Sequence, residues 1–252
     1  MSGHDVTVRL FTRVWNVGAA HRALLLHGLG SDGATMWRLA DHLARQGYEV
    51  TAPDLRGTGS SPPTASYRVT EFAGDLRLLG GQWDLLVGHS LGGAIAAVLL
   101  ADGDFAARGL LLDPVLVFDE ADKPAVTALF QAEVGGALTA ARIHAEEPDW
   151  DDEDIFRLVR ASATVSPSVV QGVIHDTTPW DLVPYAAKWP AGVTILAADP
   201  AVGALFTPDH AGRVREFAPH VRIVTVPEAG HSIHRDAPGT VLVAIDHLIA
   251  DA

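Results

Sequence analysis

Cysteine is absent from this 252-residue chain, and its absence removes several classes of chemistry at once. Without it the protein has no disulfide bond, no thiolate nucleophile and no cysteine-ligated metal or cluster. The absence does not predict a compartment, because a cysteine-free chain suits a reducing cytosol and an oxidising exterior equally well. Any nucleophile must therefore be sought among other side chains.

Basic residues are scarce as well: 18 lysines and arginines stand against 31 aspartates and glutamates, a formal net charge of −13. Nucleic acids and anionic membranes bind positive surfaces, so the composition argues against both as partners. Long apolar runs are also missing, because the longest, Ala94–Ala101, is far too short to span a bilayer. Residues 1–5 lack signal-peptide features, so a soluble, cytoplasmic protein is expected; no pattern predicts the oligomeric state.

What the sequence does contain is a regular alternation of short apolar runs and helical periodicity. Such alternation is typical of a mostly parallel sheet with helices on both faces, and the length suits a single domain. Strands are predicted at Val6–Phe11, Ala23–Leu26, Tyr48–Ala52, Leu85–Val87, Gly109–Leu112, Val193–Ala197 and Val221–Val226, and helices at Trp37–Gln46, Val69–Leu79, Pro208–Phe217 and Pro238–Ala250.

Residues 115–189 break this rhythm, because they show helical character but no convincing buried strand. An insertion at the C-terminal ends of strands would cover the crevice where open α/β sheets bind ligands. We interpret about 115–189 as a helical lid over a core formed by about 1–114 and 190–252. Among the aromatic residues, Trp37, Phe118 and Trp180 are the candidates for substrate contact.

The segment Gly88-His89-Ser90-Leu91-Gly92 carries the strongest chemical signal. A nucleophile on a sharp strand-to-helix turn needs small residues two positions away on each side, because the backbone there is strained and closely packed. An apolar strand precedes the segment and an alanine-rich helix follows it, which is the context that the motif requires. Ser90 is therefore the candidate nucleophile; the alternative is that it only caps the helix.

A second glycine-containing loop, His27-Gly28-Leu29-Gly30, directly follows a predicted strand. A loop of this kind can bring the backbone N–H of Leu29 opposite that of Leu91, and the pair would hold an oxyanion. The alternative is a glycine turn selected for tight packing. The two interpretations are compatible, since a flexible backbone is what lets the amides face inward.

The candidate general base is His231, which follows the last predicted strand and precedes the last helix. A base must reach Ser90 from a loop at the same edge of the sheet, and this loop lies at that edge. His234 is interpreted as a surface or supporting residue. His27 is expected to hold its loop by hydrogen bonding, and His89 to point away from the oxyanion site.

Four motifs follow one another along the chain: His27-Gly28-Leu29-Gly30, Asp54-Leu55-Arg56-Gly57-Thr58-Gly59-Ser60, Gly88-His89-Ser90-Leu91-Gly92-Gly93 and Gly230-His231. In this order they resemble the α/β-hydrolase fold superfamily, and the resemblance runs from about Val6 to the end of the chain. The resemblance implies a mostly parallel, eight-stranded sheet, a Ser–acid–His triad, and neither a metal nor a dissociable cofactor. It also implies that Asp54 and Arg56 pin neighbouring segments and take no part in the chemistry.

The acid of the triad stays open between Asp113 and Asp199. Asp199 follows the strand that resembles the family's usual acid position, but the glycine of the usual loop is missing there. Asp113 ends the strand after the nucleophile, where some family members carry the acid. Both precede a proline, so both also fit a simple strand-ending turn; we favour Asp113 by a small margin.

An acidic run covers residues 146–154. It lacks the glycine and the terminal glutamate of a known calcium loop, although a calcium site is conceivable. We interpret the run as the start of a helix, where carboxylates favour the positive end of the helix dipole.

Taken together, these features predict an acyl-transfer hydrolase that cleaves a small ester, thioester or lactone bound under an apolar lid. Carbon–carbon bond hydrolysis, or a cofactor-free lyase or cyclase reaction on the same triad, is the alternative within enzymes. A ligand-binding receptor with residual hydrolase activity is the alternative from another class.

Overall fold

The computed structural model describes residues 7–250, which form a central sheet with helices on both faces. Consecutive strands and helices alternate along most of the chain, as the apolar pattern predicts. The strands are β1 (Thr12–Trp15), β2 (His21–Leu26), β3 (Tyr48–Pro53), β4 (Leu85–His89), β5 (Arg108–Leu112), β6 (Val117–Phe118), β7 (Trp180–Asp181), β8 (Gly192–Ala197) and β9 (Arg222–Thr225).

Seven of these strands form the main sheet, in the order β1-β3-β2-β4-β5-β8-β9. Neighbouring strands are parallel except for β1, which pairs antiparallel with β3 at the edge. The strand that follows β2 in the chain, β3, lies on one side of it, and the next strand, β4, lies on the other side. The loops that follow β2 and β4 therefore meet at the carboxyl edge of the sheet, where parallel sheets bind ligands.

The helices are α1 (Trp37–Arg45), α2 (Val69–Arg77), α3 (Leu91–Leu100), α4 (Lys123–Gln131), α5 (Ala140–Glu146), α6 (Asp152–Thr164), α7 (Pro167–Asp176), α8 (Pro208–Phe217), α9 (Ile233–Asp236) and α10 (Pro238–Ala250). Two short 3₁₀ helices, Gly33–Met36 and Val183–Lys188, complete the described chain.

The core lies on both faces of the sheet, because side chains alternate along each buried strand. In β2, Leu24 and Leu26 pack with α2 and α3 on one face, whereas Ala23 and Leu25 pack with α1 and α10 on the other. α3 is buried on every side, so the helix that follows Ser90 is held rigidly.

The described residues contain neither the expected strand at Val6–Phe11 nor an eighth strand in the main sheet, so the expectation of an eight-stranded sheet is wrong there. Val6 lies outside them, and residues 7–11 form no strand. The backbone of Phe11 bonds to a loop instead: its N–H donates to Ser61 Oγ at 2.9 Å, and its carbonyl accepts from Asp54 at 2.9 Å. The ladder with β3 begins only at Thr12.

Residues 115–189 contain α4 to α7, and they also contain two short strands that the sequence pattern did not predict. β6 and β7 pair antiparallel and carry the chain away from the sheet and back to it. Phe118 and Trp180 meet edge to face in this pair, with ring centroids 5.7 Å apart, and the Trp180 indole N–H donates to the carbonyl of Val115 at 2.8 Å.

No helix in residues 7–250 is long and apolar enough to cross a membrane.

Candidate active site

Ser90 occupies a strained turn between β4 and α3, with φ 55° and ψ −115°. Backbone with positive φ is unusual for a residue that has a side chain, and it is tolerated here because both flanking elements are buried. A Cβ on Gly88 would collide with the carbonyl oxygen of Gly92, and one on Gly92 would collide with that of Leu26. The two glycines therefore allow the turn to be this tight.

The turn brings Ser90 to His231, and His231 to Asp113. Ser90 Oγ lies 2.9 Å from His231 Nε2, and His231 Nδ1 lies 2.6 Å from Asp113 Oδ2. Ser90 stands at the N-cap of α3, but its side chain makes no capping hydrogen bond. This geometry disfavours the helix-cap alternative.

Asp113 is fully buried and has φ 39°, directly after β5. Its carboxylate accepts backbone N–H groups from Ala198 at 3.1 Å, Leu205 at 2.9 Å and Phe206 at 3.2 Å. These donors come from the loop after β8, so they fix the orientation of the carboxylate that faces the imidazole.

Asp199 forms no hydrogen bond or ion pair with His231 among the described residues, where Asp113 takes the position beside the imidazole. The Asp199 carboxylate instead accepts the N–H groups of Ala201 at 2.9 Å and Glu228 at 3.0 Å. These two hydrogen bonds lower the pKa of Asp199. The side chain therefore closes the turn after β8 and joins it to the loop that precedes His231.

The loop after β2 lies against the turn that carries Ser90. His27 Nδ1 lies 2.8 Å from the carbonyl oxygen of Gly28, and its Nε2 accepts the N–H of Leu55 at 3.1 Å, so the imidazole holds the loop as expected. A Cβ on Gly28 would lie 2.9 Å from the His89 ring. This close approach places Leu29 and Leu91 beside Ser90 in the wall of one pocket.

Behind His231 lies a cluster of buried imidazoles. His89 packs between His231 and His234, with ring centroids 4.8 Å and 4.4 Å apart, and its Nε2 is 2.9 Å from the carbonyl oxygen of His231. Burial lowers the pKa of His89 and of His234 well below the usual range, and the neighbouring cationic groups add to this effect. His234 is thus a buried residue, not a surface one.

A pocket of about 360 Å³ opens on Ser90. Leu29 and Leu91 form its floor, α4 and α7 contribute Val126, Phe130, Val173 and Ile174, and β6 and β7 contribute Phe118 and Trp180.

The structure places the predicted contacts Phe118 and Trp180 in this wall, but not Trp37. The Trp37 indole N–H donates to buried Asp154 at 2.8 Å, and the ring lies under two arginines. Trp37 therefore joins α1 to α6. The aliphatic wall residues of α4 and α7 were missed, because apolar residues at helical spacing look the same whether they face a core or a pocket.

The acidic run at 146–154 behaves as a helix start. Asp151 caps α6 by accepting the N–H of Glu153 at 2.9 Å, and Asp154 binds Trp37 and Arg38. In residues 7–250, no three His, Asp or Glu side chains are grouped so that they could hold a metal ion.

Asp54 and Arg56 take the pinning positions that the family resemblance implies. Asp54 accepts the N–H groups of Gly33 at 2.9 Å and Ser60 at 2.8 Å. The buried guanidinium of Arg56 makes two hydrogen bonds to Asp75, at 2.7 and 2.8 Å. Neither side chain lines the pocket at Ser90.

Some sequence relatives match only part of the chain, and others match most of it. The chain is 38% identical over 96 residues to an uncharacterized protein of Mycobacterium tuberculosis, covering 36% of this chain but only 28% of that protein. It is 40% identical over 103 residues to Lipase LipV of the same organism, covering 39% of each chain. N-formylmaleamate deformylase of Pseudomonas putida is 26% identical over 235 residues, 87% of this chain and 85% of that one.

The fold is shared with many solved structures. The enol-lactonase of Burkholderia xenovorans LB400 superposes with a TM-score of 0.76 at 17% identity, over 96% of both chains. A family model described as the alpha/beta hydrolase family matches residues 23–245. The chain therefore belongs to the alpha/beta hydrolase family.

Proposed function

We propose that this protein is a serine hydrolase that cleaves a small ester, thioester or lactone through an acyl-enzyme on Ser90. The observation that carries the proposal is the unbroken line of contacts from Ser90 Oγ to His231 and on to Asp113, at 2.9 and 2.6 Å, with Ser90 in the wall of an apolar pocket. A serine, an imidazole and a buried carboxylate in this arrangement form the apparatus of acyl transfer.

In the proposed reaction, Ser90 Oγ attacks the carbonyl carbon of the substrate while His231 Nε2 takes the serine proton. Asp113 holds the imidazole by Nδ1 and stabilises its charged form. The oxyanion of the tetrahedral intermediate accepts hydrogen bonds from the backbone N–H groups of Leu29 and Leu91. His231 returns the proton to the leaving alcohol or thiol, then activates the water that releases the acid.

Residues 115–189 act in this proposal as the lid that separates the reacting carbonyl from water. The position of α4, α7 and Trp180 in the pocket wall supports this role. The names of the relatives, a lipase, a deformylase and an enol-lactonase, support hydrolysis of a carbonyl compound without selecting one substrate.

The test is labelling with a fluorophosphonate probe, read by intact mass, followed by p-nitrophenyl butyrate hydrolysis. Wild type is expected to take up one probe per chain, and Ser90→Ala none. Ser168→Ala is the matched control, because Ser168 is exposed on α7 and its hydroxyl pairs with that of Ser166. Equal labelling of wild type and a folded Ser90→Ala variant would refute the proposal.

A further inference from the structure

The pocket at Ser90 contains negative charge without a positive partner. Apart from Ser90 its polar residues are Asp119, Asp122, Thr207 and His210, and the remaining wall is aliphatic or aromatic. No lysine or arginine is found among the described residues that line it. A substrate carboxylate bound here would lose its hydration shell and gain no counter-ion, which is unfavourable.

Asp119 and Asp122 line the pocket just before α4 begins, and Asp122 is the N-cap residue of that helix. Both residues are exposed, and within residues 7–250 neither carboxylate takes part in a hydrogen bond or an ion pair. Their charge therefore acts on whatever enters the pocket.

The nearest lysine in the chain, Lys123, is directed elsewhere. Its side chain is buried, and Nζ donates to the carbonyl of Thr177 at 2.9 Å and to Thr178 Oγ1 at 3.0 Å. It also pairs with Glu120 at 2.8 Å. Among the described residues, Lys123 thus forms an ion pair with neither aspartate of the pocket.

His210 supplies no positive charge at neutral pH either. Burial lowers its pKa, an effect larger than the opposing attraction of Asp119. Its Nδ1 accepts the N–H of Thr207 at 3.3 Å, which requires that nitrogen to be unprotonated.

The cleft on the other side of His231 also contains mainly negative residues among the charged side chains that line it. It measures about 380 Å³, and Glu147, Asp149, Glu228 and Asp236 line it together with Arg235. Burial and the nearby charge of Asp236 raise the pKa of Glu147, a sign that carboxylates crowd there.

We propose, on the basis of the function proposed above, that the Ser90 site accepts substrates whose acyl group is apolar and either uncharged or cationic. Asp119 and Asp122 are the specificity residues, and they exclude acyl groups that carry a carboxylate.

Three p-nitrophenyl esters that differ mainly in charge provide the test. The acyl groups are 5,5-dimethylhexanoyl, which is neutral; 4-(trimethylammonio)butanoyl, its cationic isostere; and glutaryl, which ends in a carboxylate. After subtraction of spontaneous hydrolysis, the glutaryl ester is expected to have a kcat/KM at least about tenfold below that of the neutral ester, with the gap narrowing at high salt.

The Asp119→Asn/Asp122→Asn variant is expected to raise kcat/KM for the glutaryl ester about fivefold or more and to lower it for the cationic ester, both relative to the neutral ester measured with the same variant. Asp104→Asn is the control, because Asp104 is exposed at the opposite edge of the sheet, before β5. It removes one charge but leaves the pocket unchanged.

Two results would overturn the proposal: equal turnover of the glutaryl and neutral esters by wild type, or unchanged discrimination in the double variant. Binding of the three corresponding methyl ketones, measured by calorimetry, separates this inference from the proposed function because it needs no turnover. Ketones that bind in the predicted order to a protein that hydrolyses no ester would support the charge selection and refute the hydrolase. Ester hydrolysis without any charge preference would support the hydrolase and refute the charge selection.

Discussion

His89 holds the backbone of His231: its Nε2 lies 2.9 Å from the His231 carbonyl oxygen, and the two rings are 4.8 Å apart. A carbonyl oxygen only accepts hydrogen bonds, so neutral His89 carries its proton on Nε2. The residue that precedes the proposed nucleophile in the chain therefore fixes the loop that presents the proposed base.

Substitution of His89 tests this positioning role. His89→Leu is expected to lower kcat about 10- to 100-fold with KM changed less than about threefold, because a displaced base acts on the chemical step and not on binding. His89→Gln keeps a donor for the carbonyl and is expected to retain more of kcat. A folded His89→Leu variant with wild-type kcat would contradict the role.

Asparagine at the two candidate acids separates their functions. Asp113→Asn is expected to lower kcat by about three to four orders of magnitude, because an amide cannot stabilise the imidazolium and favours the wrong tautomer. Asp199→Asn is the matched control and is expected to keep kcat within about threefold, since the Asp199 carboxylate accepts backbone N–H groups of two turns. Similar losses in both variants would contradict the assignment of Asp113.

Alanine at two helical glycines compares a crowded position with an open one. Gly92→Ala is expected to lower the free energy of unfolding by about 2–4 kcal/mol, because its Cβ would collide with the carbonyl oxygen of Leu26. Gly212→Ala, in α8, has no atom within 4 Å of the new Cβ and is expected to raise it by about 0.5–1 kcal/mol. Urea denaturation measures both. Equal effects would show that the strain at the turn carrying Ser90 is not steric.

The sequence predicts Ser90 and His231 because the local context favours each of them: a glycine-flanked turn between a strand and a helix for Ser90, and a loop between the last strand and the last helix for His231. It leaves Asp113 and Asp199 open because both end strands at the same edge of the sheet. Only the tertiary path of the loop after β8, which donates three N–H groups to Asp113, separates them.

The residues of the pocket wall are harder still to predict from the sequence. Val126 and Val173 have the apolar spacing of any packed helix, and only the crossing of α4 and α7 turns them toward Ser90. Trp37 lies outside this wall for a similar reason: no local pattern in the sequence links it to Asp154, 117 residues further on, which accepts its indole N–H.

The buried imidazoles make stability depend on pH. Burial keeps the pKa of His89 and of His234 well below 6.5 in the folded chain, so below that pH the unfolded chain binds protons that the folded chain excludes. Stability is therefore fully present above about pH 6.5 and falls as the pH falls, by up to about 1.4 kcal/mol per pH unit for each group. His234 Nδ1 has no hydrogen-bond partner among the described residues, so its replacement by an apolar residue breaks no bond at that atom.

We expect His234→Leu to reduce the loss of unfolding free energy between pH 6 and pH 5 by up to about 1.2 kcal/mol, because one of the two excluded protons no longer binds the unfolded chain. Urea denaturation at pH 7.5, 6 and 5 gives the slopes. His247→Asn, on the exposed side of α10, is the control for the loss of a histidine side chain. Since carboxylates contribute equally to the acid loss in all three proteins, an unchanged slope in His234→Leu would mean that His234 is already charged in the folded state.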